Sequence, residues 1–541
     1  MQRRITLRRE DTEDRQERVK EARKRIFEKG RALKSDFVKQ ALGEGNWTPI
    51  YNAFSKIYAK YGFDYLKMFT VDLLHEIEIG TFKAILVHLL RLVLADNRAN
   101  IVELDNRYCL VPPFGRETIR HIHGNVSELK RKTAREFEDY LQVALPCFED
   151  LLPEPHNKIV MDLLWDFATW HAYAKLRLHS DSTVESLCQA TRSFGDSLRK
   201  FVWVTCAAFE TTELDKERAK RLRREARARE KNGGDADPAS EIHQKVSFNP
   251  NTSKFHAMGH YADAIGEHGH VRSKRLWERT AKNRNFVGQL ARQERRQHHL
   301  RRVAKCAQTT ALRRNFTTNV EDSEPLPACD PALPYQIANS QRFYEDIPTL
   351  LADTKDDLAM KTWLFDLKNH CLQRILGTLS DTEFTDEDRR NLTFISNRIY
   401  KHKYLRVNYT TYDLRREQDS INPRTQPDIM MLGGDTEENS HPYLYARVVS
   451  LFHVRARHLG PRSRNTSEQR LDVAWVRWYQ FDTTYRSGWK AKQLHGLQFI
   501  PATSRTAFGF VNPVQIIRAV HILPAFAYGT TGEYLPADSI A

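Results

Sequence analysis

The apolar residues of this 541-residue chain keep a helical spacing as far as about Tyr400, and beyond His441 they change to alternating and clustered β-branched and aromatic residues. A period of 3.6 and a period of 2 cannot serve the same element. The chain is therefore confined to a mainly α architecture with a β part at its C-terminal end. In the first part Phe137, Tyr140, Leu141, Ala144 and Leu145 precede Pro146, and Val160, Leu163, Leu164, Phe167 and Ala168 repeat the pattern. In the second, YARVVSLFHVRARHLG, RLDVAWVRWYQFD, LHGLQFIP and AFGFVNPVQIIRAVHILPAF are broken by Gly, Pro, Asn and Ser, which are strand signals at short spacing. Closing such strands removes their exposed edges, so the spacing predicts a small SH3-like or OB-like β-barrel over residues 441–530.

Between these ends the composition marks further boundaries. Residues 1–45 read as a charged helical arm, with Val19, Ile26, Phe27, Leu33, Phe37 and Val38 as its few apolar positions, and 46–210 as a helical domain. Residues 211–250 combine a basic helix with a Gly-, Asp-, Pro- and Ser-rich linker, and 251–320 form a basic helical segment. A second linker covers 321–335, and 336–440 read as a helical segment and connector.

Positive charge is localised. Residues 272–305 hold 12 Lys and Arg against 2 Asp and Glu, and residues 216–231 hold 9 against 3. Together they exceed the net +15 of the whole protein, so the remainder is close to neutral. A cationic stripe suits a polyanion, because each neutralised phosphate releases condensed counterions. The alternative is a pair of solvated helix faces that keep the chain soluble. Arg272, Lys274, Arg275, Arg279, Arg284, Arg292, Arg295, Arg296, Arg301 and Arg302 are the candidate phosphate contacts, with DNA as the expected partner.

Other classes are disfavoured. The apolar runs 82–95 and 159–174 are interrupted by Lys83, His88, Arg91, Asp162, Asp166 and His171, so neither is expected to span a membrane. Residues 1–25 lack an apolar stretch of the secretory kind. The 7 cysteines are scattered and never spaced C-x-x-C, which points to reduced thiols. No Gly-rich phosphate loop or nucleophile elbow is present.

Several stretches resemble a family of transposase-related proteins expanded in mushroom-forming fungi, of the CACTA or Plavaka kind. They are MFTVDLLHEIEIGTFK (68–83), FGRETIRHIHGNVSELK (114–130), LLPEPHNKIVMDLL (151–164), ATWHAYAKLRLHSD (168–181), the basic tract 253–305, NYTTYDLRREQDSINP (408–423), and HPYLYARV with AFGFVNP near the end. Their order and number carry the likeness, and no single one is a catalytic signature. The resemblance implies a nuclear protein of a transposable element. It also implies an RNase H-like cutting core in which carboxylates hold two divalent metals, Mg²⁺ or Mn²⁺. Such a core needs a sheet, and because almost none is expected before His441, the sheet-bearing part of the family protein is expected upstream of Met1.

Asp72 and Glu76 are the candidate catalytic carboxylates, and Asp72, His75 and Glu76, sharing one helix face at i, i+3 and i+4, are the candidate metal ligands. The competing reading has Asp72 capping a helix, Glu76 in solvent and His75 packed on Trp47 or Phe54. The resemblance places a further metal-binding glutamate just before His270, where this chain has Gly269; Glu267 belongs to the helix before it. His121 with His123, and His298 with His299, lack a nearby third ligand. Trp170, His171, Lys175, Arg177, His179 and Asp181 read as a hydrogen-bonded core network, or else as the lining of a DNA or acidic site. Tyr409, Tyr412, Arg415, Arg416 and Asp419 suit stacking on bases or packing on the barrel.

The expected function is therefore that of a transposon-derived nuclear DNA-binding protein, the C-terminal part of a transposase with an incomplete catalytic core. One alternative is a metal-dependent nuclease or strand-transferase completed in trans by other transposase subunits. Another is a module that binds chromatin or protein through barrel aromatics Trp475, Trp478, Tyr479, Phe508 and Phe510.

Overall fold

The computed structural model describes residues 10–43, 47–68, 71–115, 118–129, 132–232, 242–268, 333–378, 382–433 and 441–529, with the isolated positions Arg292, Arg295, Arg296, Leu535, Ser539 and Ile540. The N-terminal arm is two helices, α1 (Glu13–Phe27) and α2 (Asp36–Leu42), closed on each other through Val19, Ala22, Val38, Ala41 and Leu42. Thr12 caps α1, and buried Arg15 ties it to Asp11 at 2.6 Å and to the Tyr65 hydroxyl at 2.6 Å. The short α3 (Ala53–Tyr58) follows.

A wide π-helical run, Leu73–Phe82, passes directly into α4 (Lys83–Asp96), and Asn97 then caps α5 (Arg98–Leu110). Next come α6 (Ala134–Gln142), opened by a Thr133/Glu136 capping box, α7 (Ala144–Phe148) and α8 (His156–Ala174). A Ser180/Thr183 box opens α9 (Asp181–Lys200), and α10 (Asp215–Asn232), α11 (Ser253–Ala257) and α12 (Tyr261–His268) complete the unit. The apolar stripes of α4, α6, α8 and α9 share one core. Its centre is a chain of rings: Phe167 lies 5.8 Å from Phe82, 4.9 Å from Phe194 and 6.3 Å from Trp170, and Trp170 meets Tyr261 edge-on at 5.1 Å. Truncating a ring so enclosed to Ala costs about 3–5 kcal/mol.

The C-terminal region does not close into a barrel. Its strands form two open antiparallel sheets, and many lie before His441, where helices and a connector were expected. The elements run β1 (Tyr335–Ile337), β2 (Tyr344–Asp346), α13 (Ile347–Asp353), α14 (Trp363–Leu376), α15 (Asp386–Asn391), β3 (Leu392–His402), β4 (Leu405–Thr410), β5 (Arg416–Ile421) and β6 (Asp428–Leu432). They continue with β7 (Tyr443–His458), β8 (Gln469–Phe481), β9 (Leu497–Phe499), β10 (Phe508–Val511) and β11 (Ile516–Ala519). The larger sheet runs β10-β8-β7-β3-β2, with β6 and β11 added along the first half of β7 and β9 at the end of β8; the smaller is β1-β4-β5.

The strands β7 and β8 are buried on both faces. Phe452, Val454, Ala456, Leu471, Val473 and Trp475 face α13 and α14, whereas Ala446, Val448, Leu451, Ala474 and Val476 face the small sheet. The result is three layers, helix, large sheet and small sheet. Layering and pairing with the earlier strands cover the surfaces and edges that a barrel would have covered. The aromatic face expected on a barrel is therefore absent: Trp475 is buried, Phe508 and Phe510 pack beside it on the helical side, and Tyr479 stacks on Phe499 at 4.4 Å.

The β8–β9 connection fastens the sheets to α8. Lys492 Nζ meets buried Asp166 at 2.6 Å, Lys158 donates to the Ala491 carbonyl at 2.9 Å, and Trp489 packs edge-on against Trp165 at 5.4 Å. Tyr485 donates to Glu149 at 2.9 Å, where burial and the nearby Asp150 raise the carboxyl pKa despite that bond. Among the described residues no helix is long and apolar enough to cross a membrane.

Candidate functional site

Helix α10 sorts its charges by face. Glu217, four residues before Arg221, turns inward and takes Arg91 at 2.6 Å and 3.2 Å. Arg221, buried, reaches Glu213 at 2.5 Å, Glu225 at 3.3 Å and the Ile242 carbonyl at 3.0 Å. That pairing holds Glu213 below the ordinary carboxylate range, the Arg221 hydrogen bond being the main cause. The spacing of 217, 221 and 225 puts all three on one helix face.

The other face is left cationic. Lys216, Lys220, Arg223, Arg224 and Arg227 are exposed. Lys216 binds the Glu128 carbonyl at 2.7 Å and its carboxylate at 3.2 Å. Among the described residues no carboxylate comes within ion-pair distance of Lys220, Arg223, Arg224 or Arg227. Positions 216, 220, 223 and 227 form a stripe about 16 Å long at the helical rise, and that length of B-DNA axis carries about ten phosphate charges.

Of the ten cations singled out in the basic tract, Arg292, Arg295 and Arg296 are helical and exposed. Arg272, Lys274, Arg275, Arg279, Arg284, Arg301 and Arg302 lie outside the described residues, as do Gly269, His270, His298 and His299.

The acidic candidates sit at the start of the π-helical run. Asp72 is its N-cap: one carboxylate oxygen accepts from the His75 N–H at 3.1 Å and the other meets His75 Nδ1 at 2.7 Å. Its pKa is lowered, first by the backbone bond and then by the ring. Glu76 Oε2 accepts from the Asp72 N–H at 3.2 Å and from the Tyr261 hydroxyl at 3.0 Å, and burial together with Glu76 raises the phenol pKa. His75 is largely exposed and leans on Asp72, away from the expected packing on Trp47 or Phe54. Among the described residues no three His, Cys, Asp or Glu side chains converge as a metal-binding group.

Glu78, two residues on, points inward. Its Oε1 lies 3.3 Å from His171 Nε2 and 3.0 Å from Lys175 Nζ, and Lys175 also reaches Glu138 at 2.5 Å. Burial pushes the Glu78 carboxyl up, but the bonds from His171 and Lys175 outweigh it and the net shift is downward. Beside this network is an open cleft of about 370 Å³, lined by Thr118, Arg135, Leu141 and Ala168 among others. Gly80 is required here, because a Cβ would stand 2.7 Å from the His75 carbonyl oxygen and from Lys254 Cδ.

The remaining polar clusters separate. Trp170 donates to Thr191 at 2.9 Å, His179 packs near Thr183, and Asp181 opens α9. The Arg177 backbone N–H donates to the Tyr412 hydroxyl at 2.5 Å, so the 408–423 stretch fastens to the helical unit. Arg415 pairs with Asp413 at 2.7 Å, Arg518 stacks on Tyr409 at 3.4 Å and holds Asp419 at 2.6 Å, and Arg416 stays exposed. His121 and His123 stack at 4.3 Å. Tyr261, Glu138 and Arg221 were missed from sequence; only Arg221 had a local signal, its place midway between Glu217 and Glu225. No protein-family model matches the chain, and neither the curated proteins nor the solved structures include a significant match.

Proposed function

We propose that this chain is a nuclear DNA-binding protein derived from a transposase of the kind its sequence resembles, and that it grips the phosphate backbone through the outer face of α10 and the basic tract that follows. The observation that supports this reading is the sorting of charge on α10. A helix serving only solubility gains from acidic residues interspersed among the basic ones outside, whereas here Glu217 and Glu225 are turned inward onto Arg91 and Arg221. The chain does not cut DNA by itself in this reading: Asp72 and Glu76 already serve the cap and Tyr261. Other transposase subunits or chromatin proteins are its further partners.

Fluorescence anisotropy with a labelled duplex tests the proposal. If about six to ten phosphate contacts form, affinity falls by about 10³ to 10⁵ between about 50 and 200 mM salt. Replacing Lys220, Arg223, Arg224 and Arg227 together by Ala reduces the log–log slope by about 3 to 4, at about 0.9 per lost contact. Alanine is the better helix former, so the circular dichroism spectrum stays unchanged. Replacing Arg295, Arg296, Arg301 and Arg302 flattens the slope likewise. A slope unmoved by either set overturns the assignment.

A further inference from the structure

The turn that leads into Tyr261 carries two histidines one helical turn apart, His256 at the end of α11 and His260 just before α12. At i and i+4 they share a face. Their rings stand 4.8 Å apart at 78°, and the two Nε2 atoms converge to 3.2 Å. Two nitrogens bound about 2.0–2.1 Å from a tetrahedral zinc ion lie about 3.3 Å apart, so the pair already holds the spacing of one edge of such a coordination shell. His256 is exposed and His260 half-buried, which leaves the edge open to an ion from solvent.

We propose that His256 and His260 form a two-imidazole site for a divalent transition-metal ion of the zinc or copper(II) class. Neutral imidazole selects such ions over Mg²⁺ and Ca²⁺, which prefer oxygen. Without an ion the short contact requires one ring to donate its Nε2 proton to the other. Binding shifts the donor ring to its Nδ1–H tautomer, the Nε2 proton passing through solvent to Nδ1, and replaces the bond with two metal–nitrogen bonds. Among the described residues no third His, Cys, Asp or Glu joins the pair, so the two imidazoles are the ligands assigned to the ion. Its structural effect is to clamp the Met258–His260 turn and so fix Tyr261, whose hydroxyl bonds Glu76.

The test is calorimetric titration of the full chain with zinc chloride, beside His256→Ala, His260→Ala and, as a control for the stacked pair elsewhere, His121→Ala with His123→Ala. The expected result is one zinc-binding event that weakens at least tenfold in each of the first two variants, persists in the control and is not competed by millimolar Mg²⁺. His256 is exposed and His260 only half-buried, and an unchanged circular dichroism spectrum confirms that the variants fold. Failure of the wild-type chain to bind zinc, retention of full affinity in His256→Ala and His260→Ala, or displacement by Mg²⁺ overturns the proposal.

Discussion

Replacing Glu78 by Gln separates a structural carboxylate from a metal ligand. In the wild-type protein Glu78 accepts from Lys175 at 3.0 Å and His171 at 3.3 Å. Removing one partner from a fully buried pair costs about 3–5 kcal/mol because the other charge is left uncompensated. Two features reduce that figure here: the group borders an open cleft, so water screens part of the interaction, and Lys175 keeps Glu138. The expected loss is about 1–2 kcal/mol, which at a urea m-value of about 2–3 kcal/mol/M lowers the midpoint by about 0.5 M. The sign with pH follows from the depressed pKa. The contribution of Glu78 is fully present above the unfolded carboxyl value of 4.5 and is lost as pH falls through the lower folded value. Wild type and Glu78→Gln should therefore differ at pH 7 and converge as the pH falls well below 4.5. Urea unfolding followed by tryptophan fluorescence measures this, Trp170 lying in the same core. Equal midpoints at pH 7, a gap that persists in acid, or a wild-type midpoint raised by Mg²⁺ or Mn²⁺ and lost in the variant would refute the structural role.

Two further predictions concern buried polar groups. Lys492→Met leaves Asp166, which also accepts from Ser193 and Ser197, buried without its cation; stability should fall by about 1–3 kcal/mol, and adding Asp166→Asn should recover part of it in a double-mutant cycle. His88 is buried between Phe201 and Phe248 with neither ring nitrogen hydrogen-bonded, and burial lowers its pKa to about 4. The unfolded chain takes up that proton near 6.5, so this residue makes the protein lose up to about 3 kcal/mol as pH falls from 6.5 to 4. His88→Leu should be more stable at pH 7 and should have a shallower decline of urea midpoint over that window; parallel profiles would exclude the assignment.

How far the sequence disclosed the fold depended on burial. Helix α8 was legible because Val160, Leu163, Leu164 and Phe167 all point into one core at helical spacing. The strands β7 and β8 were legible because burial on both faces makes them nearly continuous apolar runs. Strand β3 was not. Ser396 and Asn397 sit at φ 60° and 50° within a bulge, and the pairing register shifts between Phe394 and Ile399, so the two-residue period breaks inside the strand. Strands β1, β2 and β9, each three residues long, are too short to show any period. Missing β1 to β6 left the later strands without neighbours, and a barrel was the wrong inference drawn from that shortage. At the site, VDLLHEIEIG and ATWHAYAK both stood out, yet Glu78 and His171 are 93 positions apart, and no local pattern encodes which carboxylate meets which base.

The two polar regions of the helical unit use the same residue types to opposite ends, and the direction in which the cations point decides which can meet a polyanion. Around Glu78 the bases are turned onto carboxylates: Lys175 bridges Glu78 and Glu138, and His75 rests on Asp72. A phosphate approaching there would have to displace an intramolecular partner and leave a carboxylate uncompensated, which opposes binding. On α10 Glu217 and Glu225 are the members turned inward, held by Arg91 and Arg221, while Asp215 at its start and the cations Lys220, Arg223, Arg224 and Arg227 face solvent. At Lys220, Arg223, Arg224 and Arg227 a phosphate backbone would break no ion pair among the described residues, whereas Lys216 would have to leave Glu128, so the proposed DNA binding at α10 should be governed by salt and leave the Glu78 network unchanged. Glu78→Gln should therefore keep the wild-type salt slope, and the α10 quadruple variant should keep the wild-type urea midpoint.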